Sequence, residues 1–234
     1  MAAVIALLAG DAADGVRTSR AAAVAMGVDG IGAGVGTGPE GAALAWGRAQ
    51  TSAALEEVEF TLGEGPGLDC VAAGLPVLVA NLPAAVSRWP AFTPAAMDLG
   101  VRAVFALPLR IGAISVGSLL AYRHTSGPLR DGQLVDAVAL ADTLTALLLR
   151  RATDELPRQA AEGGQPGRGW TVPETHRLEV HQATGMVSVQ LGVSLAEALV
   201  LLRAHAFAAD RSMNEIAADV VARRLRFGEP DPER

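Results

Sequence analysis

Three Ser/Thr-x-x-Glu boxes packed into 45 residues restrict this chain more than any other feature, because each one starts a helix and the spacing leaves room for little else. They are Thr171 with Glu174, Ser194 with Glu197 and Ser212 with Glu215. In such a box the hydroxyl accepts the backbone N–H three residues on, while the carboxylate accepts the N–H of the capping residue itself. Behind each box apolar residues recur at helical spacing. The first set is Val180, Ala183, Val187 and Leu191; the second is Leu195, Ala198, Leu199, Leu202 and Ala206; the third is Ile216, Ala217, Val220, Val221 and Leu225. Helices this short bury their apolar stripes against one another, so residues 171–228 are expected to form a small three-helix domain.

Gly185 falls inside the first of these helices, where glycine costs roughly 1 kcal/mol relative to alanine. With Ala183 it leaves a nearly flat patch, suited to close approach either by another helix or by a flat partner such as nucleic acid.

Upstream, the pattern changes period. Helices are expected over 16–26, 50–57, 68–73 and 94–99, and strands over 31–35, 42–46 and 76–79. An apolar hairpin runs from Val101–Leu109 to Ile114–Tyr122 around Gly112-Ala113, and a long amphipathic helix follows from Asp131 to Arg151. Strands mixed with helices in this way imply an α+β domain, an antiparallel sheet with helices packed on it, over residues 15–151. Residues 152–170, with Pro157, Gly163, Gly164, Pro166, Gly167 and Gly169, read as a flexible linker that cannot propagate a helix. The tail after Gly228 is expected to be disordered.

Several chemistries are excluded. The glycines at 30, 32, 34, 36 and 38 miss the G-x-G-x-x-G spacing of a dinucleotide loop and suit a strand with one bare face. The turn Leu62-Gly-Glu-Gly-Pro-Gly-Leu-Asp-Cys70 feeds a helix start able to hold an anion, although a plain loop-to-helix turn explains it more simply. The acidic run Glu56, Glu57, Glu59 and Glu64 suits a solvated face. The four histidines, His124, His176, His181 and His205, lack metal-ligand spacing, and no nucleophile motif or phosphate loop occurs. No cofactor, no metal and no enzymatic activity is expected.

Charge narrows the partners. The net charge is −6, and all 19 basic residues are arginine. Residues 1–150 carry nine arginines against thirteen carboxylates, whereas residues 171–228 carry six of each. The neutral segment is the better place for a polyanion, with few phosphate contacts. The single cysteine, Cys70, fits a reducing compartment. The apolar stretch from Met1 to Ala9 is too short to span a bilayer. A cytoplasmic location with no membrane partner is expected.

Two resemblances then become specific. Arg177 to Met186, with Gly192-Val-Ser194, Glu197-Ala198, Leu202-Arg203, Arg211-Ser-Met213 and Ile216-Ala217, resembles the ANTAR domain of transcription antitermination regulators. Leu62-Gly-Glu-Gly-Pro66, Pro76 to Val79, Arg88-Trp-Pro90, Gly100 to Val104 and Pro108-Leu109 resemble the GAF sensor domain found before ANTAR in actinobacterial regulators. The first resemblance implies a homodimeric regulator that binds stem-loop RNA in nascent transcripts. The contact residues it implies are Gln182, Ala183, Thr184, Gly185, Arg203 and Arg211, with Arg223, Arg224 and Arg226 as an added cluster. The second implies a six-stranded sheet and a small-molecule ligand held by the GAF domain. Thr184 and Ser212 stand where the ANTAR family usually carries basic residues. They favour an alternative reading, a ligand-sensing or dimerisation protein whose C-terminal helices dock a protein partner.

Overall fold

The computed structural model describes residues 1–8, 15–36, 43–47, 49–159 and 174–228. The chain divides into two compact units. One comprises residues 1–59 and 64–172, and the other residues 60–63 and 173–234.

The first unit is built on a five-stranded antiparallel sheet: β1 (Gly30–Val35), β2 (Ala43–Trp46), β3 (Val77–Val79), β4 (Ala103–Ile111) and β5 (Ile114–Arg123), in the order β2-β1-β5-β4-β3. Of the six strands expected, five occur among the described residues. The β4–β5 hairpin pairs Ala103 with Arg123 through to Ile111 with Ile114, around the expected Gly112-Ala113 turn. Gly112 takes φ +61, a region glycine enters without steric cost.

One sheet face carries Ile31, Ala33, Phe105, Leu107, Leu119 and Ala121. Three helices bury it: α1 (Ala2–Leu8), α2 (Gly15–Met26) and α6 (Asp131–Gln159), which contributes Ala137, Leu140, Ala141 and Leu144. Residues 131–150 of α6 are long and apolar enough to cross a membrane by length and composition, yet these four side chains are buried against the sheet. The helix also runs through residues 152–159, which were expected to begin the linker; residues 160–170 of that linker lie outside the described residues. Helix α6 is seated by its first turns, where Gln133 donates to the Met26 carbonyl at 2.7 Å and accepts from Arg123 at 3.1 Å.

The opposite face carries Val104, Ala106, Leu120 and Tyr122, and here β1 is bare as its alternating glycines require. The Tyr122 ring occupies the place a side chain at Gly30 would take. Helix α3 (Gln50–Leu62) as far as Glu59, helices α4 (Pro66–Ala73) and α5 (Phe92–Asp98) and a 3₁₀ turn (Leu82–Ala85) complete the unit. Helix α4 packs on β3, β4 and β5 and shares no residue with the core of the first face, which places it over this second one.

The second unit holds the three expected helices, α7 (Glu174–Leu191), α8 (Leu195–Ala208) and α9 (Met213–Val221). Both later capping boxes form in full, Ser194 with Glu197 and Ser212 with Glu215. Thr171 of the first lies outside the described residues. Val180, Ala183, Val187, Ala198, Leu199, Leu202, Ala206, Ile216, Ala217 and Val220 make the core as their spacing requires. Leu195 departs from it and is 62% exposed, because the first residue after the cap points off the end of the packed face.

Candidate functional site

Two places concentrate polar groups. The first is a groove of about 660 Å³ along α7 of the second unit. Its making begins at the end of α9, where Arg223 adopts φ +60 and breaks the helix, and the N–H groups of Arg224 and Leu225 turn back onto the Asp219 carbonyl at 2.8 and 3.1 Å. The following residues then return across α7, where the Phe227 N–H donates to Gln190 Oε1 at 2.9 Å. The Phe227 ring meets His205 edge to face at 5.4 Å between centroids. Met186, Val189 and Phe227 give the groove its apolar surface, and Gln182, Arg223 and Arg226 give it polar and charged groups. A Cβ added at Gly185 would meet nothing within 4 Å, so the glycine opens the groove without being needed for helix packing.

The expected contact residues separate on this geometry. Gln182 is exposed and lines the groove together with Gly185. Ala183 and Thr184 do not: they are 0% and 5% exposed, and the Thr184 hydroxyl donates to the Val180 carbonyl at 2.7 Å. Contact through those two side chains is therefore corrected. Positions 180, 183, 184 and 187 share the buried stripe of α7, and a hydroxyl there is satisfied by its own helix.

Arg203 and Arg211 do not line the groove either. Arg203 Nε donates to the Phe60 carbonyl at 3.1 Å. Arg211 pairs with Asp219 at 2.8 Å, and Arg224 holds the other oxygen of the same carboxylate at 2.7 Å. Hydrogen bonds from Arg211 and then Arg224 hold Asp219 below the usual carboxylate range. Sequence reasoning missed Met186, Val189, Gln190 and Phe227. An apolar residue off the core stripe, such as Val189 at 85% exposed, is the signal that could have found them.

The second place lies in the first unit, where the reading of the acidic run as a solvated face fails. Helix α3 continues past Glu57 to Leu62, so Glu59 falls one turn beyond the buried Leu55 on the inner side. Glu59 is 8% exposed, and its Oε1 accepts the Gly67 N–H at 2.6 Å. A Cβ at Gly65 or Gly67 would collide with its carboxyl group. The helix start suggested as an anion site is therefore occupied by the chain's own side chain.

Burial is the largest cause pushing Glu59 up to about 8. The Gly67 hydrogen bond opposes it, and the charges of Glu56 and Asp69 add to it. Burial, with the Glu59 charge behind it, pushes the neighbouring Cys70 thiol up to about 12.

The other acids of this stretch tie loops together. Glu64 Oε1 accepts the N–H groups of Ala91 and Phe92 at 2.7 and 2.8 Å. Asp69 accepts from Trp89 Nε1 at 3.2 Å and Arg88 Nε at 3.0 Å, and Arg88 lies over the Trp89 ring. Among the described residues no group of three or more His, Cys, Asp or Glu is placed to hold a metal ion.

No protein-family model and no curated protein matches the chain. Solved structures do. The GAF domain of an Acinetobacter phosphoenolpyruvate-protein phosphotransferase aligns with a TM-score of 0.50 at 13% identity, covering 65% of this chain and 92% of that one. The GAF domain of the corresponding Coxiella burnetii protein aligns at 0.47 and 15% identity, over 66% and 96%. Identities this low speak to architecture alone. Taken with the sheet and its flanking helices, the first of these likenesses gives this chain the fold of a GAF domain.

Proposed function

We propose that this chain is a cytoplasmic, non-enzymatic regulator of transcription antitermination. In this reading the α7–α9 unit binds stem-loop RNA and the GAF-fold unit responds to a signal carried by a small molecule. The supporting observation is the groove beside Gly185, which offers an apolar surface with Gln182, Arg223 and Arg226 around it. Unstacked loop bases need such a surface, because they present flat faces for stacking and polar edges for hydrogen bonding, whereas the deep groove of an A-form stem admits no side chains. Binding at paired loops would hold a nascent transcript in a form that excludes a terminator hairpin.

The test is electrophoretic shift of the full chain against an RNA with two adjacent hairpins, beside a blunt duplex of the same stem. Gly185→Leu fills the groove from a position with open space around it. We expect at least tenfold weaker binding of the hairpin RNA with an unchanged circular dichroism spectrum. Equal affinity of the variant and the parent would remove the groove from the interface.

A second reading, docking of a protein partner on these helices, draws on the exposed Val200 and Phe207 of α8 and on the engagement of Arg211 and Arg224 by Asp219. Absence of any shift at low salt would favour it.

A further inference from the structure

Glu59 has no part in the reading above, yet its setting is unusual for a carboxyl group. It is 8% exposed, held by one backbone N–H, and enclosed by a turn whose two glycines leave only the space the carboxyl needs. The titratable groups that act on it are Glu56 of its own helix and Asp69 of α4, and Cys70 of α4 feels its charge in turn. No positive charge is among them, and the guanidinium of Arg88 is bound to Asp69. The Gly67 N–H favours the ionised form, but burial and the charges of Glu56 and Asp69 outweigh it, so the buried anion is costly unless it is neutralised or reaches water.

We propose that Glu59 is a proton-operated latch on the Gly65–Gly67 turn: protonated, it keeps the turn and the start of α4 seated, and on losing its proton to water it releases them. Released, α4 loosens over the sheet face that carries Leu120 and Tyr122. The latch needs no covalent step. Its working range, near pH 8, follows from the burial that raises Glu59. Because Asp69 sits on the same helix turn and holds the indole N–H of Trp89, movement of α4 is reported at Trp89.

The experiment is an NMR titration of the full chain from pH 6 to pH 10, with glutamate carboxyl carbons and tryptophan indole nitrogens labelled. The Trp89 signal is assigned from Trp89→Phe. We expect one glutamate carboxyl to titrate with a midpoint near 8, and the Trp89 indole resonance to shift with the same midpoint. Both changes should vanish in Glu59→Gln, which keeps the acceptor oxygen for Gly67. If no glutamate titrates above pH 7, the latch does not exist. If one titrates while Trp89 stays still, the carboxyl ionises without moving the turn, and the proposal is equally overturned. Should Glu59→Gln fail to fold, the two resonances of the parent chain decide the matter alone.

Discussion

A single carboxyl group sets the expected acid-base behaviour of the first unit. Glu59 in the folded state holds its proton to about 8, against an ordinary value of 4.5, so the folded state binds more protons than the unfolded chain between those limits. Stability from this group is therefore greatest below about 4.5, falls as pH climbs towards 8 and levels off above, by an amount on the order of a few kcal/mol. Denaturant unfolding of Glu59→Gln should show the variant gaining on the parent as pH rises from 6 to 9, and parallel curves would refute the assignment. Gly185 gives the opposite kind of residue-scale prediction. Nothing stands within 4 Å of its missing Cβ, so Gly185→Ala should raise the melting free energy of the second unit by about 0.5–1 kcal/mol through helix propensity. Neither residue was legible for its role. Glutamates at 56, 57 and 59 look alike in sequence, and only the length of α3 decides which of them points inward. For Gly185 the two readings, a helix contact and an open surface, differ only in what stands opposite.

Elements were read more surely than residues, because periodicity and caps are local. The boxes at Ser194 and Ser212 formed as written, each hydroxyl accepting the N–H of its glutamate and each carboxylate returning to the cap N–H. Ser212→Ala should cost about 1 kcal/mol in thermal unfolding of the second unit. Hydrogen bonds from the cap hold Glu197 and Glu215 below the usual range. Their contribution is present above the unfolded carboxylate value and is lost as pH falls through the lowered one, opposite in direction to Glu59. The hairpin was equally plain, since Gly112-Ala113 sits between two apolar runs. What escaped was length. Helix α3 runs five residues and α6 eight residues past the ends expected from pattern; in α3 the added turn carries the buried Glu59 and Phe60, so packing extends it. Arg203 and Arg211 escaped for a related reason: a side chain's partner is set by which elements lie beside it, and sequence spacing does not report that.

At the scale of the whole molecule, charge governs how the proposed interaction should respond to its medium. The net charge is −6, Arg211 and Arg224 are both bound to Asp219, and the groove is lined by two arginines, Arg223 and Arg226. Two phosphate contacts predict a slope of about −2 or shallower for log affinity against log salt concentration, measured by repeating the hairpin titration between 50 and 300 mM salt. A slope near −6 would mean that a different, more basic surface carries the binding. The strand order has an effect of its own on how the molecule behaves in company. Among the described residues the outermost strands, β2 and β3, are stubs of four and three residues, and each is by itself a short template for another chain. Short edge strands are one guard against the edge-to-edge addition that leads to fibrous self-assembly. Lengthening either stub with alternating valine and threonine would remove that guard while leaving the interior of the sheet untouched.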